Sequence, residues 1–558
     1  MIDRFALAYR EQQQLFLFDK AYVGANLLKI GGLSTLSARF IVQFFWNPVV
    51  AQILTLGLLA LGTWLLWLAL RRSRADWPLL PLCVIPFFFL AASLSENAMH
   101  FDVLTAWFLS LAALCVYTRI KTGRSAWGIV LTVLVYLVAG PAALLFALSA
   151  TIVGLFRREW ASLSFLPVAL LCALFAWWMT AVPTWQAACT PAFYFDLDTE
   201  MPTGHWVAWI VLPVIVFLVE WAKVLSLSRK VFLPAVAVLA VLAFLPALQI
   251  ARKCEVRQSG ITYEYEYYTV NQDWEGLRKA CLRHEWVPHT AQYLNLALAW
   301  KGTLVEDLLR YDQRGPTGLV RMDGQRGVET TQAHIMFAMG NMAGAQDIAF
   351  NTLYSVQGIC PAMLKMNAQV ELMRGTYEVA DRYLSFLEKS LHYRRWAREH
   401  RRFLYDDEAV EADPMLGNGR RDFPVLEGFS MFESPISELL RVVDANPSDP
   451  RATQYALAYL LLSKDAESVC RFVDTYYGSP SLRSVPVPVQ EAILFFSEYS
   501  RNVRTSDSLG PEWCRSHGVT PQTEQRFAAF QQATLASGGA APKGYQGTYW
   551  HYLLYKQI

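Results

Sequence analysis

The segment that decides the topology of this chain is AWGIVLTVLVYLVAGPAALLFALSATIVGLF, residues 126–156. Its 31 residues include no charged side chain, and one straight helix of that length is too long for a hydrocarbon layer about 30 Å thick. Gly140-Pro141 stands near its middle, and proline lacks the N–H that a helix interior needs. We therefore expect two short helices that form a hairpin, entering and leaving the membrane on one side.

Further apolar segments on either side of this hairpin are long enough to cross a bilayer as helices. The first 250 residues carry 27 Asp, Glu, Lys and Arg side chains, whereas the other 308 residues carry 69. We predict an all-α protein with a polytopic membrane domain at 48–250, followed by a soluble domain at 251–558. The spans predicted beside the hairpin are Val49–Leu70, Trp77–Leu94, Phe101–Thr118, Ser162–Val182, Trp206–Trp221 and Val231–Ile250.

The placement of basic residues predicts the orientation, because Lys and Arg concentrate in cytoplasmic loops. The loops at 95–100 and 183–205 contain no Lys or Arg. With the hairpin, eleven basic residues fall on the opposite side: Arg71, Arg72, Arg74, Arg119, Lys121, Arg124, Arg157, Arg158, Lys223, Arg229 and Lys230. The sequence therefore predicts a cytoplasmic (inner) membrane protein whose C-terminal domain is periplasmic.

Residues 1–47 form a separate amphipathic segment, which the same topology puts on the extracytoplasmic side. Residues 14–18 and 36–46 are typical of short pieces that lie at the membrane interface, joined by Gly31-Gly32. The segment lacks the apolar stretch of a signal peptide. We therefore expect a further span upstream of Met1.

The soluble half has the pattern of paired helices, with strand-like alternation only at Ile261–Val270. Helix pairs repeating at about 34 residues are typical of tetratricopeptide-like solenoids. The best match is Asn446–Pro450 followed by two amphipathic helices, and a second match covers Lys365–Leu387. The predicted helices are 272–284, 290–300, 303–311, 329–340, 342–356, 361–373, 376–389, 393–404, 434–445, 450–463, 465–477, 487–501 and 522–536.

Several short stretches resemble an uncharacterised family of multi-pass Bacteroidota membrane proteins with a C-terminal tetratricopeptide-like helical region. They are residues 11–18 (EQQQLFLF), 31–33 (GGL), 40–45 (FIVQFF), 138–143 (VAGPAA), 295–299 (NLALA), Gly302 and 311–315 (YDQRG). The resemblance covers both halves and implies the same architecture. That family brings no established activity, so the resemblance implies no catalytic residues. Its members usually carry a hydrophobic span before the Gln-Leu-Phe stretch, where this chain begins.

The loop between the second and third predicted spans holds Glu96, His100 and Asp102 beside the bilayer. One interpretation is a solvated turn in which Asp102 caps the next helix. The other is a catalytic site shared with Asp19, since GT-C glycosyltransferases place an acidic residue in the first extracytoplasmic loop and polar groups in the second. An acid there would deprotonate an acceptor or hold a metal, with a lipid-linked sugar as donor. The match to the glycosyltransferase pattern is incomplete, because no Asp-Glu pair follows Asp19.

The loop at 183–205 carries Asp196, Asp198 and Glu200 at alternate positions. Carboxylate oxygens suit a hard cation, but the 12-residue calcium-loop pattern is absent. A solvated acidic loop is the alternative.

Two basic stretches of the soluble half have structural interpretations. The arginines at 394, 398, 401 and 402 are expected on one helical face, where they pair with the acidic stretch 406–413. Binding of a phosphate or polyanion is the alternative. The stretch Gly417–Arg421 is interpreted as a turn. His334 lies on an apolar helix and is expected in the core.

The balance of 49 Lys and Arg against 47 Asp and Glu argues against nucleic acid as a partner, and no cofactor motif is found. The leading hypothesis is an integral membrane protein of unknown activity whose residues 255–558 bind a protein or envelope glycan. A GT-C-type glycosyltransferase is the alternative. A transporter subunit that uses the helix break at Gly140-Pro141 is the third possibility.

Overall fold

The structure is a computed structural model of the full chain. It describes residues 3–71, 79–94, 100–195, 203–225, 229–254, 257–284, 286, 289–320, 329–355, 360–422, 435–503 and 509–557. Every regular element of three or more residues in these ranges is a helix, which confirms the all-α fold class. The chain forms two compact units: residues 1–263 with 388–394, and residues 264–387 with 395–558.

The first unit is built around two apolar helices. Helix α5 packs against α11 and α12, while α6 packs against α3, α4, α7 and α8. Three 3₁₀ segments, Arg10–Gln12, Trp160–Ser164 and Pro191–Tyr194, connect the α-helices. The α-helices are α1 (Arg4–Tyr9), α2 (Lys20–Leu27), α3 (Gly32–Val42), α4 (Pro48–Leu70), α5 (Leu80–Ser93), α6 (Asp102–Arg119), α7 (Arg124–Ala139), α8 (Ala142–Phe156), α9 (Phe165–Trp178), α10 (Trp185–Cys189), α11 (Thr203–Leu225) and α12 (Arg229–Cys254).

Four helical segments among the described residues are long and apolar enough to cross a membrane. They are Pro48–Leu70, Asp102–Arg119, Trp160–Trp178 and Trp206–Val224. The predicted span at Trp77–Leu94 contains the 14-residue helix α5, and residues 72–78 lie outside the described part. The predicted span at Val231–Ile250 lies within α12, where Val236–Gln249 is a shorter apolar helix.

Helices α7 and α8 lie on either side of Gly140-Pro141 and pack against each other. Gly140 has φ +66°, and a Cβ atom there would lie 3.1 Å from the Phe193 ring. A residue other than glycine would therefore meet both backbone strain and a close contact at this turn.

The backbone groups freed by this break have protein partners. The Tyr194 hydroxyl donates to the Ala139 carbonyl and accepts from the Ala142 N–H at 3.2 Å. The Gly31 N–H donates to the Leu137 carbonyl at 2.9 Å. The Ser110 hydroxyl donates to the Ala142 carbonyl at 2.8 Å. The break can therefore be buried, because unpaired backbone groups in an apolar interior are costly.

The second unit consists of short helices that pack mainly as consecutive pairs: α14 with α15, α17 with α18, α24 with α25 and α25 with α26. The unit boundary falls within α13 (Arg257–Val270). The helices that follow are α14 (Trp274–Arg283), α15 (Thr290–Trp300), α16 (Leu304–Asp307), α17 (Glu329–Ala338), α18 (Met342–Ser355), α19 (Pro361–Arg374), α20 (Tyr377–Glu388), α21 (Arg394–His400), α22 (Asp407–Ala412), α23 (Pro414–Asp422), α24 (Pro435–Ala445), α25 (Pro450–Leu462), α26 (Ala466–Tyr476), α27 (Val487–Val503), α28 (Pro511–Ser516), α29 (Pro521–Ala536) and α30 (Tyr549–Tyr555).

Contacts between distant parts of the sequence also join this unit. Helix α16 packs against α25 and α27. The Leu304 N–H donates to Gln454 Oε1 at 3.0 Å, and the guanidinium of Arg451 lies 4.5 Å from the Trp300 ring centroid. The packing therefore extends beyond the neighbour-to-neighbour contacts of a linear solenoid.

Two local sequence patterns differ from the structure, and one of them led to a wrong interpretation, the turn at Gly417–Arg421. The strand-like alternation at Ile261–Val270 lies inside α13, and the stretch Gly417–Arg421, interpreted as a turn, lies inside α23. In α23 the absence of side chains on glycine allows close packing, since a Cβ atom at Gly419 would lie 2.3 Å from Met373 Sδ. Tertiary packing here overrides the local turn signal.

We predict that Tyr194→Phe destabilises the first unit, because it leaves the Ala139 carbonyl and the Ala142 N–H buried without this partner. The expected loss in the free energy of unfolding is about 1–3 kcal/mol, measured by thermal unfolding in detergent. Tyr499→Phe, at an exposed tyrosine of the second unit, is the matched control. Equal stability of the Tyr194→Phe variant and the unmodified chain would contradict this role.

Candidate functional site

Asp102 is the predicted site residue with the most unusual environment. It is the first residue of α6 and only 7% exposed. Its Oδ2 accepts a hydrogen bond from Thr35 Oγ1 at 2.7 Å, whereas its Oδ1 is buried without a hydrogen-bond partner in the described structure. Asp102 is therefore buried and does not cap α6, while residues 95–99 of the predicted turn lie outside the described part of the chain.

The surroundings of Asp102 join α6 to the start of α3. Thr105 Oγ1 donates to the Ser34 carbonyl at 2.8 Å, and Ser34 Oγ donates to the Gly31 carbonyl at 2.7 Å. Gly31 has φ +72° and precedes Gly32, where a Cβ atom would lie 2.0 Å from the Asn26 carbonyl oxygen. The two glycines therefore let α3 begin close to the chain that leads into it.

Asp19 has a structural role in the same unit. Its Oδ1 accepts from the N–H groups of Ala21 and Tyr22 at 2.8 and 3.1 Å, which caps α2. Its Oδ2 forms an ion pair with Lys389 Nζ at 2.5 Å, and this lysine lowers the pKa of Asp19. The hydrogen-bond partners of Asp19 and Asp102 have no residue in common, so the contacts do not join these acids into one site.

His100 contributes its backbone N–H, which donates to the Tyr194 carbonyl at 2.9 Å. Glu96 and the acidic residues Asp196, Asp198 and Glu200 lie outside the described residues. Within the ranges that the structure describes, no group of three or more His, Cys, Asp and Glu side chains could hold a metal ion.

Residues 388–394 pack within the first unit, against the N-terminal segment. The Phe18 N–H donates to the Lys389 carbonyl at 2.7 Å, and the His392 ring stacks on Trp46 with centroids 5.2 Å apart. The Tyr393 hydroxyl lies 2.7 Å from Glu11 Oε2 and accepts from Gln12 Nε2 at 2.9 Å. Buried polar groups are therefore paired where these distant stretches meet.

In the second unit, Asp422 is fully buried at the end of α23. Its Oδ1 accepts from Asn446 Nδ2 at 2.8 Å, and its Oδ2 has no hydrogen-bond partner in the described structure. Burial, assisted by the nearby Asp449 carboxylate, raises the pKa of Asp422 to about 7. His334 is also buried, and burial lowers its pKa to about 3, so it is a neutral core residue.

The basic stretch near α21 has different partners from those expected. Arg401 pairs with Asp381 at 2.7 Å, on the preceding helix. In the acidic stretch, Asp407 pairs with Arg420 of α23 at 2.7 Å. The formation of α23, which the sequence did not predict, supplies this alternative cation.

A cavity of about 300 Å³ in the second unit was not predicted from the sequence. We call it the C-terminal cavity. Tyr311 and Gln313, which belong to the stretch 311–315 that carries the family resemblance, line this cavity. The sequence therefore marked this region without indicating its chemistry. Its lining residues are Leu309, Arg310, Tyr311, Gln313, Gln546, Gly547, Thr548, His551, Tyr552 and Lys556.

Comparison with known protein families gives one assignment. Residues 1–556 match the family described as "Family of unknown function (DUF6057)". The chain belongs to the DUF6057 family. This membership confirms that the chain is part of an uncharacterised family across both halves. Neither the curated proteins nor the solved structures gave a match to this DUF6057 protein.

We predict that Asp422 makes the stability of this DUF6057 protein decrease from acid to neutral pH. Between its ordinary value of 3.8 and about 7, the folded state binds this proton more tightly than the unfolded state, so stability falls as pH rises through that window. Asp422→Asn keeps the acceptor for Asn446 and removes the titration.

Thermal unfolding at pH 5 and pH 8 measures this effect. We expect the melting temperature of Asp422→Asn, relative to the unmodified chain, to be higher at pH 8 than at pH 5. Glu408→Gln, at an exposed carboxylate of α22, should show no such change. A pH-independent difference for Asp422→Asn would contradict the prediction.

Proposed function

We propose that this DUF6057 protein is an integral protein of the cytoplasmic membrane that presents a periplasmic helical domain for binding a protein or cell-envelope component. The observation that carries the membrane part is the apolar surface of the first unit. On α9, Leu171, Phe175 and Trp178 are 62%, 60% and 71% exposed. A contiguous apolar surface of this kind is costly in water and favourable against lipid.

The second unit supports the binding part of the proposal. Its helices pack mainly as consecutive pairs. The α25–α26 pair has the small residues and the Asp449-Pro450 start typical of tetratricopeptide-like hairpins. Asp449 caps α25 by accepting from the Arg451 N–H at 2.8 Å. Helical-repeat domains commonly serve as binding surfaces. We also propose that this domain is a tetratricopeptide-like repeat, that the family is one of Bacteroidota, and that the partner belongs to the cell envelope.

The proposal predicts the sides of the membrane on which two positions lie. Alkaline phosphatase and a cytoplasmic fluorescent reporter are each fused after Ser125 and, in separate chains, after Arg257. We expect fluorescence at Ser125 and phosphatase activity at Arg257, because the hairpin keeps the basic loops cytoplasmic. Both readouts are normalised to the amount of fusion protein in the membrane.

The opposite result at Arg257 would put the second unit in the cytoplasm and contradict the proposal. Fusions after Arg71 serve as an internal control, since that position precedes a loop with three basic residues. The predicted orientation requires fluorescence of the fusions at both Arg71 and Ser125.

One observation favours the glycosyltransferase alternative. The Asp102 carboxylate is buried at the start of a helix that could span a membrane, and its Oδ1 has no hydrogen-bond partner in the described structure. An acid in such a place is a candidate for proton transfer. The mechanism uses Asp19 as its second acid, but Asp19 already forms an ion pair with Lys389. This ion pair argues against the glycosyltransferase alternative.

Because we propose a binding protein and not an enzyme, we expect Asp102→Asn to leave sugar transfer in membranes unchanged. Transfer is measured from labelled lipid-linked donors, in membranes with and without the protein, at matched protein levels. Asp19→Asn is the control, since it alters an acid already held in an ion pair. A loss of about 100-fold or more for Asp102→Asn alone would favour the enzyme.

The transporter alternative is weaker. A broken helix can serve as a substrate site when its backbone groups face a cavity. Here Tyr194, Gly31 and Ser110 pair with the backbone beside Gly140-Pro141. This pairing favours a structural role for the break.

A further inference from the structure

The C-terminal cavity has basic side chains in its lining and no acidic one. Arg310 belongs to the lining segment 309–313, and His551 and Lys556 belong to the lining segment 546–556. Asp307 and Asp312, outside the lining, neutralise part of this charge by pairing with Arg310 and Lys556. The chemistry of the lining itself is therefore that of a site for an anion.

The two charged side chains keep donors for a ligand. Arg310 pairs with Asp307 through Nη1 at 2.8 Å, whereas a guanidinium carries five N–H donors. Lys556 gives one of its three donors to Asp312. Each of these side chains therefore has N–H donors left for a carboxylate or phosphate while it keeps its protein partner.

The remaining walls are polar, aromatic and held in place. Gln313 is buried and exchanges two hydrogen bonds with Asn295, at 3.1 and 3.0 Å. The Tyr552 hydroxyl donates to the Leu462 carbonyl at 2.9 Å. Fixed walls lower the entropic cost of binding, because few side chains must be ordered by the ligand.

The position of the C-terminal segment depends on a second set of contacts. The indole N–H of Trp550 donates to the Glu491 carbonyl at 2.8 Å, and Lys464 Nζ donates to the Leu553 and Lys556 carbonyls at 3.1 and 2.7 Å. These bonds fix α30 against α27 and against the turn between α25 and α26. The wall that carries His551 and Lys556 is therefore part of the folded core.

We propose that the C-terminal cavity binds an acidic sugar, a sugar-sized ligand that carries a carboxylate or a phosphate. The volume of about 300 Å³ lies at the lower end of the range for small-molecule sites, which fits one sugar ring. Arg310 and Lys556 bind the anionic group, Tyr311 and Tyr552 supply aromatic surface, and Gln546 and Thr548 supply polar groups for hydroxyls. This inference rests on the binding role proposed for the second unit and names its ligand class.

The test is a titration of the full-length chain in detergent micelles by isothermal calorimetry. The probes are glucuronate, glucose 6-phosphate, inorganic phosphate and neutral glucose. We expect both acidic sugars to bind more tightly than glucose. Tighter binding of glucuronate identifies a carboxylate ligand, whereas tighter binding of glucose 6-phosphate identifies a phosphorylated one. Binding of inorganic phosphate equal to that of the sugars would contradict the sugar part.

Three substitutions separate ligand binding from a structural effect. Arg310→Gln and Lys556→Gln should each weaken binding of the acidic sugars roughly ten-fold, through loss of a charge-assisted hydrogen bond. Asp312→Asn should strengthen it, because Lys556 is released from its competing anion. If the Lys556–Asp312 pair only held the fold, both of its substitutions would weaken binding. Lys543→Gln, at an exposed lysine near the same terminus, is the control.

Equal affinities for glucose and the acidic sugars, or no binding of either, would overturn this inference. An equal loss in Lys543→Gln would also overturn it. These outcomes leave the proposed membrane topology intact, because the reporter fusions test that separately. A cytoplasmic position of Arg257 together with tight binding of acidic sugars would remove the envelope role and keep the cavity.

Discussion

The pairing of backbone groups at Gly140-Pro141 is the constraint on which the first unit depends. Because apolar surroundings offer no water to hydrogen-bond, every group freed by the proline must find a protein partner. Tyr194 supplies one hydroxyl for two of these groups, and Gly31 supplies an N–H. The need to pair these backbone groups therefore explains why both the 3₁₀ segment Pro191–Tyr194 and the start of α3 contact the helix break.

A related constraint operates on the carboxylates of the chain, of which Asp102 and Asp422 are buried. Asp19 is paired and helix-capping, whereas Asp102 and Asp422 each keep one carboxylate oxygen without a hydrogen-bond partner in the described structure. Burial of a carboxylate oxygen without a hydrogen-bond partner costs free energy. For Asp422, whose pKa is raised to about 7, the cost appears as pH-dependent stability. For Asp102, it marks the one position where the glycosyltransferase alternative can be tested directly.

Hydrophobic periodicity and composition predicted the long amphipathic helices, but neither the short helices nor the packing partners. The predicted helices at 290–300, 450–463 and 465–477 lie within two residues of α15, α25 and α26, because long amphipathic patterns dominate local preferences. Helix α23 was missed, because its glycines are typical of a turn. In the structure, Met373 packs closely against Gly419, and the segment is helical. The partner of Asp407 was misassigned for the same reason, because its cation, Arg420, comes from that missed helix. Arg401 instead pairs with Asp381 of α20, a contact that no local pattern indicates.

The sequence by itself determined the all-α class, the apolar first half and the break at Gly140-Pro141, because these follow from composition, period and the chemistry of proline. Only the tertiary structure decided that Asp102 is buried beside Thr35, that residues 388–394 pack with the N-terminal segment, and that residues 309–313 meet residues 546–556 around a basic cavity. The physical reason is that contacts between residues far apart in the chain depend on shape and burial, which no local pattern records.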